Sequence, residues 1–170
     1  MSYSQKCTPN PIKVSIVPRS KGPLGFSMSE VSENKLNTKE DFVGLMNVMI
    51  GGRCAEQIFF NKVTNGAQDD IKRMTSLAYT IITKYGMGDN ELKNLYIEDN
   101  DYVKNISQHT QAEIDKQVKM LIDKCYHTTL AILHENKDKI DAMANRLIEK
   151  ETIHEKDIEE CFGIENHNRY

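Results

Sequence analysis

The sequence predicts a mainly α-helical, bundle-like fold with one small β-hairpin near its N-terminus. Three observations carry that expectation. Residues 12–16 alternate apolar and polar side chains, residues 24–28 show a similar alternation after a turn, and four or five later stretches place apolar residues at helical spacing. Two strands alone are marginal in water, so the hairpin is expected to lie against helices.

Residues 1–11 are polar, hold Pro9 and Pro11, and read as an irregular lead-in. Ile12, Val14 and Ile16 then alternate with Lys13 and Ser15 up to Pro18, and beyond the turn PRSKGP a second strand spans Leu24 to Met28. A polar surface loop follows. Thr38 is a helix N-cap, with Asp41 three residues on in the place of the usual capping glutamate. Phe42, Leu45, Met46, Met49 and Ile50 mark one helical face, which Ile58 and Phe59 extend if the helix runs through Gly51 and Gly52. Each glycine costs a helix interior roughly 1 kcal/mol against alanine, so a close approach of another backbone is expected to compensate.

The stretch Asn61–Gly66 turns the chain into a second helix that opens with Asp69 and Asp70. Carboxylates are favoured there by the exposed amides and the helix dipole. Ile71, Met74, Ala78, Ile81, Ile82 and Tyr85 form its apolar stripe, Gly86 is a natural residue just past its end, and Asp70 lies beside the stripe within inward reach. Residues 88–107 are a long polar connection with one short element around Leu95–Ile97. Ser107 or Thr110 starts a long helix with the stripe Ile114, Val118, Leu121, Ile122, Cys125, Ile132 and Leu133, broken at Asn136 or Lys137. A further helix carries Ile140, Met143, Ala144, Leu147 and Ile148. Thr152 with Glu155 forms a capping box for a last helix that buries Ile158, Cys161 and Phe162, and residues 164–170 are a fraying tail.

Composition narrows the function. The 170 residues suffice for one well-cored domain, here expected over 12–163. The net charge of −3 is far from the basic excess that wraps a phosphate backbone, so no nucleic-acid partner is expected. No apolar run is long enough to span a membrane, and Cys7, Cys54, Cys125 and Cys161 are too scattered for a zinc finger or a dense disulfide framework. Neither His134-Glu135 nor His154-Glu155 continues into H-E-x-x-H, and there is no phosphate-binding loop or serine-nucleophile turn. A first-turn aspartate is ordinarily a dipole partner and a methionine stripe is ordinarily core. Residue types alone therefore stop at a soluble helical domain with a hairpin.

A resemblance goes further. The segments NPIKVSIVPRSKGPLGFSM, TKEDFVGLMNVMIGGRCAEQIFF, VTNGAQDDIKRMTSLAYTIITKYGMGDN and IDKQVKMLIDKCYHTTLAILHENKDKIDAMANRLIEKETI are similar, in unbroken order over about residues 10–160, to the peptidase domain of FtsH-type, membrane-anchored AAA zinc proteases. The GAQDDI wording resembles the mitochondrial, paraplegin-like branch. The resemblance implies a zinc held by two histidines of an H-E-x-x-H helix and by an aspartate of the later block, here Asp70, with Asp69 in a variable neighbouring place. Three protein ligands leave an open position for a water whose pKa the metal lowers for attack on a peptide carbonyl.

The segment MSYSQKCTP stands where such proteins carry their zinc helix, and it holds neither histidine nor glutamate. The expectation is a piece of an ATP-dependent zinc metalloendopeptidase, inactive by itself, with no catalytic residue and no cofactor-binding residue of its own. The alternative is a non-catalytic structural or oligomerisation module that has lost the zinc helix. The resemblance further implies a homo- or hetero-hexameric parent that degrades membrane and misfolded proteins at the mitochondrial inner membrane. ATP and magnesium would enter only through an AAA module absent from these residues, and the membrane only through upstream segments.

Overall fold

The computed structural model describes residues 11–17, 26–29, 36–97 and 106–163. These fall into two compact units. The described part of the first comprises residues 36–97 and 106–133, and that of the second comprises 11–17, 26–29 and 134–163. Each unit has its own hydrophobic cluster.

The first unit is helical. Helix α1 (Lys39–Phe60) starts as the sequence predicts, with the Thr38 hydroxyl accepting the Asp41 N–H and the Asp41 carboxylate accepting the Thr38 N–H. It runs unbroken through Gly51 and Gly52 and ends where Asn61 turns left-handed at φ 49°. Met46, Ile50 and Cys54 are its buried face, with Phe42, Val43 and Met49 packed at the edge. Ile58 and Phe59 are only half-buried. No described atom lies within 4 Å of a Cβ built on Gly51 or Gly52. The close backbone approach expected there is therefore not made by the described residues, and among them that side of α1 is open.

Helix α2 (Gln68–Thr83) packs Met74, Ala78, Ile81 and Ile82 against α1 and the N-terminal half of α3 (Gln108–Glu135), which contributes Ile114, Val118, Leu121 and Cys125. Tyr85, read as part of the α2 stripe, is half-exposed and stacks on Phe42 with ring centroids 5.2 Å apart. Ile132 is likewise exposed rather than core. After α2, Gly86 adopts a φ of 60° and the connection folds back on itself. Ile97 N–H bonds Thr83 C=O, Met87 bridges to Lys93, and Leu92 is buried at 1% exposure. The buried side chain here is thus Leu92, in a 3-10 turn at Asn90–Leu92, whereas Leu95 is exposed. Ser107 caps α3 by accepting the Thr110 N–H.

The second unit holds a three-stranded sheet in the order β2-β1-β3 and two helices. Strand β1 (Pro11–Ser15) pairs antiparallel with β2 (Phe26–Ser29), as the alternation predicts, with an irregularity between Pro11 and Lys13. The turn between them, residues 18–25, lies outside the described residues, as do the lead-in before Pro11 and the tail 164–170. The far edge of β1 carries β3 (Thr152–His154), which local periodicity did not reveal. Thr152 is consequently not a helix cap: its hydroxyl bonds Ser15 Oγ at 2.9 Å inside the sheet. Helix α5 (Glu155–Phe162) starts at His154 instead, whose backbone N–H is accepted by Asp157 at 3.1 Å. In β1 Ser15 is buried and also donates to Glu151 C=O, while Ile12, and Ile16 just past the strand, are exposed. Helix α4 (Lys137–Lys150) buries only Leu147, beside Ile153 and Ile158.

Candidate functional site

The Asp70 expected to ligate metal lies on α2 as its third helical residue, counted from an N-cap at Ala67. Its side chain is exposed, and no hydrogen bond or ion pair to a described residue engages it. It stays in solvent although it stands four residues before the buried Met74, at the edge of the core face of α2. Asp69, one residue earlier and so about 100° around the helix, lines an open groove with Lys72, Arg73, Ser76, Leu77, Thr80 and Tyr85. Adjacent aspartates thus face different surroundings.

The geometry upstream explains how the pair is held. Ala67 cannot cap α2 with a side chain, so the helix relies on the 3-10 turn Asn65–Ala67 before it. Thr64 caps that turn by accepting the Gly66 N–H at 3.1 Å. Thr64 is in turn gripped by Glu56 of α1, whose Oε1 accepts the Thr64 hydroxyl at 2.5 Å and whose Oε2 accepts the Thr64 N–H at 3.1 Å. Those two bonds, hydroxyl first, hold the Glu56 carboxyl below the usual glutamate range. Ala67, 8% exposed, plugs the turn into the core. Local sequence shows Thr64-Asn65-Gly66 as turn chemistry, but nothing in it names an acceptor eight residues back.

Among the described residues no other set competes. Among the described residues there is no group of three His, Cys, Asp or Glu side chains that could hold a metal ion. His109 meets Glu91 at 3.3 Å on the surface, and His127 and His134 are exposed. Burial pushes the Cys54 and Cys125 thiols up, which makes them inert core residues rather than nucleophiles. The chemistry available at Asp70 is that of one exposed carboxylate oxygen donor, suited to zinc as a single ligand but incomplete as a site. No described helix is long and apolar enough to cross a membrane.

Similarity to known proteins gives these observations a family. The profile of Peptidase family M41 matches residues 2–161. The chain is 36% identical over 165 residues to the ATP-dependent zinc metalloprotease FtsH of Rhodothermus marinus, covering 94% of this chain and 24% of that protein. It is 39% identical over 149 residues to the protein of the same name from Clostridium perfringens, covering 83% and 21%. It is 37% identical over 156 residues to the mouse mitochondrial inner membrane m-AAA protease component AFG3L2, covering 89% and 19%. A helical, hairpin-bearing chain with this match is a domain of a peptidase family. It belongs to Peptidase family M41. The chain spans about a fifth to a quarter of the length of these relatives.

Proposed function

We propose that these residues are most of the proteolytic domain of an ATP-dependent zinc metalloendopeptidase, and that their contribution to its metal centre is Asp70. The observation that carries this reading is the exposed, unengaged carboxylate of Asp70 on the first turn of α2, inside a chain matched to Peptidase family M41 over residues 2–161. Zinc in the whole protein would supply the acidity that turns a water into a nucleophile at neutral pH. This chain's part is to present one oxygen ligand. Two further ligands and the general base would have to come from elsewhere, since the sequence has no H-E-x-x-H and the described residues offer no cluster of three metal-binding side chains.

The open side of α1 is consistent with a domain that continues in the whole protein. ATP dependence and magnesium would belong to a part of the parent not included here. A parent at the mitochondrial inner membrane is supported by likeness to proteins named as mitochondrial inner membrane m-AAA protease components; its oligomeric assembly and its degradation of membrane and misfolded proteins are part of this proposal.

The test is metal content and peptidase activity of the full-length protein with and without Asp70→Asn. The variant is expected to lose zinc and proteolysis while keeping its fold, since the exposed side chain makes no hydrogen bond or ion pair with a described residue. The 170-residue chain alone is expected to bind no stoichiometric zinc, because one carboxylate at a helix N-terminus sits in a positive field that disfavours a cation. A fully active Asp70→Asn protein removes Asp70 from the mechanism.

A further inference from the structure

We propose that Glu56 and Thr64 are positioning residues for Asp70: the Glu56 carboxylate locks Thr64, and Thr64 fixes the turn from which α2 begins. This rests on the reading of Asp70 as a ligand.

Helix α2 is without a side-chain cap of its own, because its N-cap is Ala67. An uncapped helix start leaves its first amide groups unpaired and its first turn free to fray. Asp70 sits in that turn. What restrains it lies six to fourteen residues upstream, in a relay of three hydrogen bonds: Thr64 Oγ1 to Glu56, Thr64 N–H to Glu56, and Gly66 N–H to Thr64 Oγ1. The relay uses both donors of Thr64 on the two oxygens of one carboxylate, so it fixes an orientation as well as a distance. Such bonds to an ionised acceptor are roughly twice as strong as neutral ones. The two Thr64 bonds push the Glu56 carboxyl pKa down, because they favour the ionised form that accepts them.

The anchor end is firm. Glu56 lies two residues past Cys54, which is fully buried in the core of the first unit, so the grip transmits the position of α1 to the loop. The other end is tight as well, since a Cβ on Gly66 would lie 3.3 Å from Thr64 Oγ1 and 4.0 Å from Glu56 Oε1. Beyond Gly66, the buried Ala67 and the Gln68 N–H to Asn65 C=O bond pass the constraint to the first turn of α2. Zinc ligand distances hold within about 0.2 Å. A helix start that wanders by ~1 Å is therefore a poor ligand platform even when the ligand itself is intact.

The experiment uses the zinc-loaded full-length protein with Glu56→Ala, Thr64→Val, Thr64→Ser and Asp70→Asn. Two readouts are taken: amide hydrogen exchange across Gly66–Arg73, and the rate of zinc release to a chelator. Glu56→Ala and Thr64→Val are expected to speed exchange in that segment alone and to release zinc roughly 10-fold faster, the low end for residues that orient a ligand. Thr64→Ser keeps the hydroxyl and is expected to restore both readouts, which a merely packing role for the threonine methyl would not do. Unchanged exchange in both disruptive variants overturns the grip. Faster exchange with unchanged zinc release, while Asp70→Asn loses zinc, overturns the positioning role and leaves the ligand intact. Zinc retained by Asp70→Asn overturns the ligand reading itself, and with it the positioning role.

Discussion

Three glycines separate what α1 needs from what the loop after α2 needs, and alanine is the probe. Gly51 and Gly52 lie in the interior of α1, where a built Cβ meets no described atom within 4 Å. With no clash to offset it, the helix-propensity gain of Gly→Ala should appear in full, about 1 kcal/mol per site and ~2 kcal/mol for the pair. For a chain of this size each kcal/mol moves Tm by about 2–4 °C, so the double variant should melt ~4–8 °C higher. Gly88 is the opposite case. A Cβ there would lie 2.8 Å from Leu92 Cβ, 3.1 Å from Gln117 Oε1 and 3.2 Å from Leu92 C=O. None of these can yield cheaply, since Leu92 is buried and Gln117 exchanges two hydrogen bonds with the Asp89 backbone. Gly88→Ala should therefore cost about 1–3 kcal/mol and lower Tm by several degrees. Far-UV circular dichroism melts of the 170-residue chain read both. A lower Tm for Gly51→Ala/Gly52→Ala in this chain, or a higher one for Gly88→Ala, would refute the reasoning. The same pair of alanines should destabilise the full-length protein if further chain packs on the open side of α1, so a change of sign between chain and parent is the expected signature.

Two predictions concern the second unit. Glu151 ends α4 with φ 57°, where a side chain is strained, and its exposed carboxylate forms no hydrogen bond or ion pair with a described residue. Glu151→Gly should raise the stability of that unit by about 1 kcal/mol, measured by urea denaturation, and a loss would refute the strain account. Asp157 is held below the ordinary aspartate range, first by the Lys150 ammonium at 2.6 Å, then by the His154 N–H, with Arg146 adding further attraction. Its folded pKa lies below the unfolded value of about 3.9, so its stabilisation is complete above that pH and fades as pH falls through the folded value. Melts across the acid range should show Asp157→Asn with a shallower loss of stability than the parent chain, and parallel profiles would exclude this linkage.

The helices were legible because their signals are local. Thr38 and Asp41 cap α1 from three residues apart, Asn61 stops it, and the stripe from Met74 to Ile82 faces the core as its spacing requires. Strand β3 was not legible, because three residues carry no period. Thr152 and Glu155 also imitate a capping box whose true partners are His154 and Asp157. What decides between them is Ser15, 137 residues away, which takes the Thr152 hydroxyl into the sheet. Likewise Ile12 and Ile16 alternate like buried positions, yet the buried member of β1 is Ser15, because its hydroxyl finds Glu151 C=O and Thr152.

The site divides along the same line. That an aspartate stands at the start of α2 is written in the sequence, and the proposed ligand there is Asp70 rather than Asp69. How that aspartate is held is not written there. A residue in the Ala67 place cannot cap, so the first turn of α2 must borrow order from elsewhere, and α1 lends it through Glu56. Glu56 looks in sequence like one more charge on an amphipathic helix. Its place is explained only when the left-handed turn at Asn61 brings Thr64 back alongside the last turns of α1. A ligand's identity can thus be local while its placement depends on the whole helix-turn-helix segment.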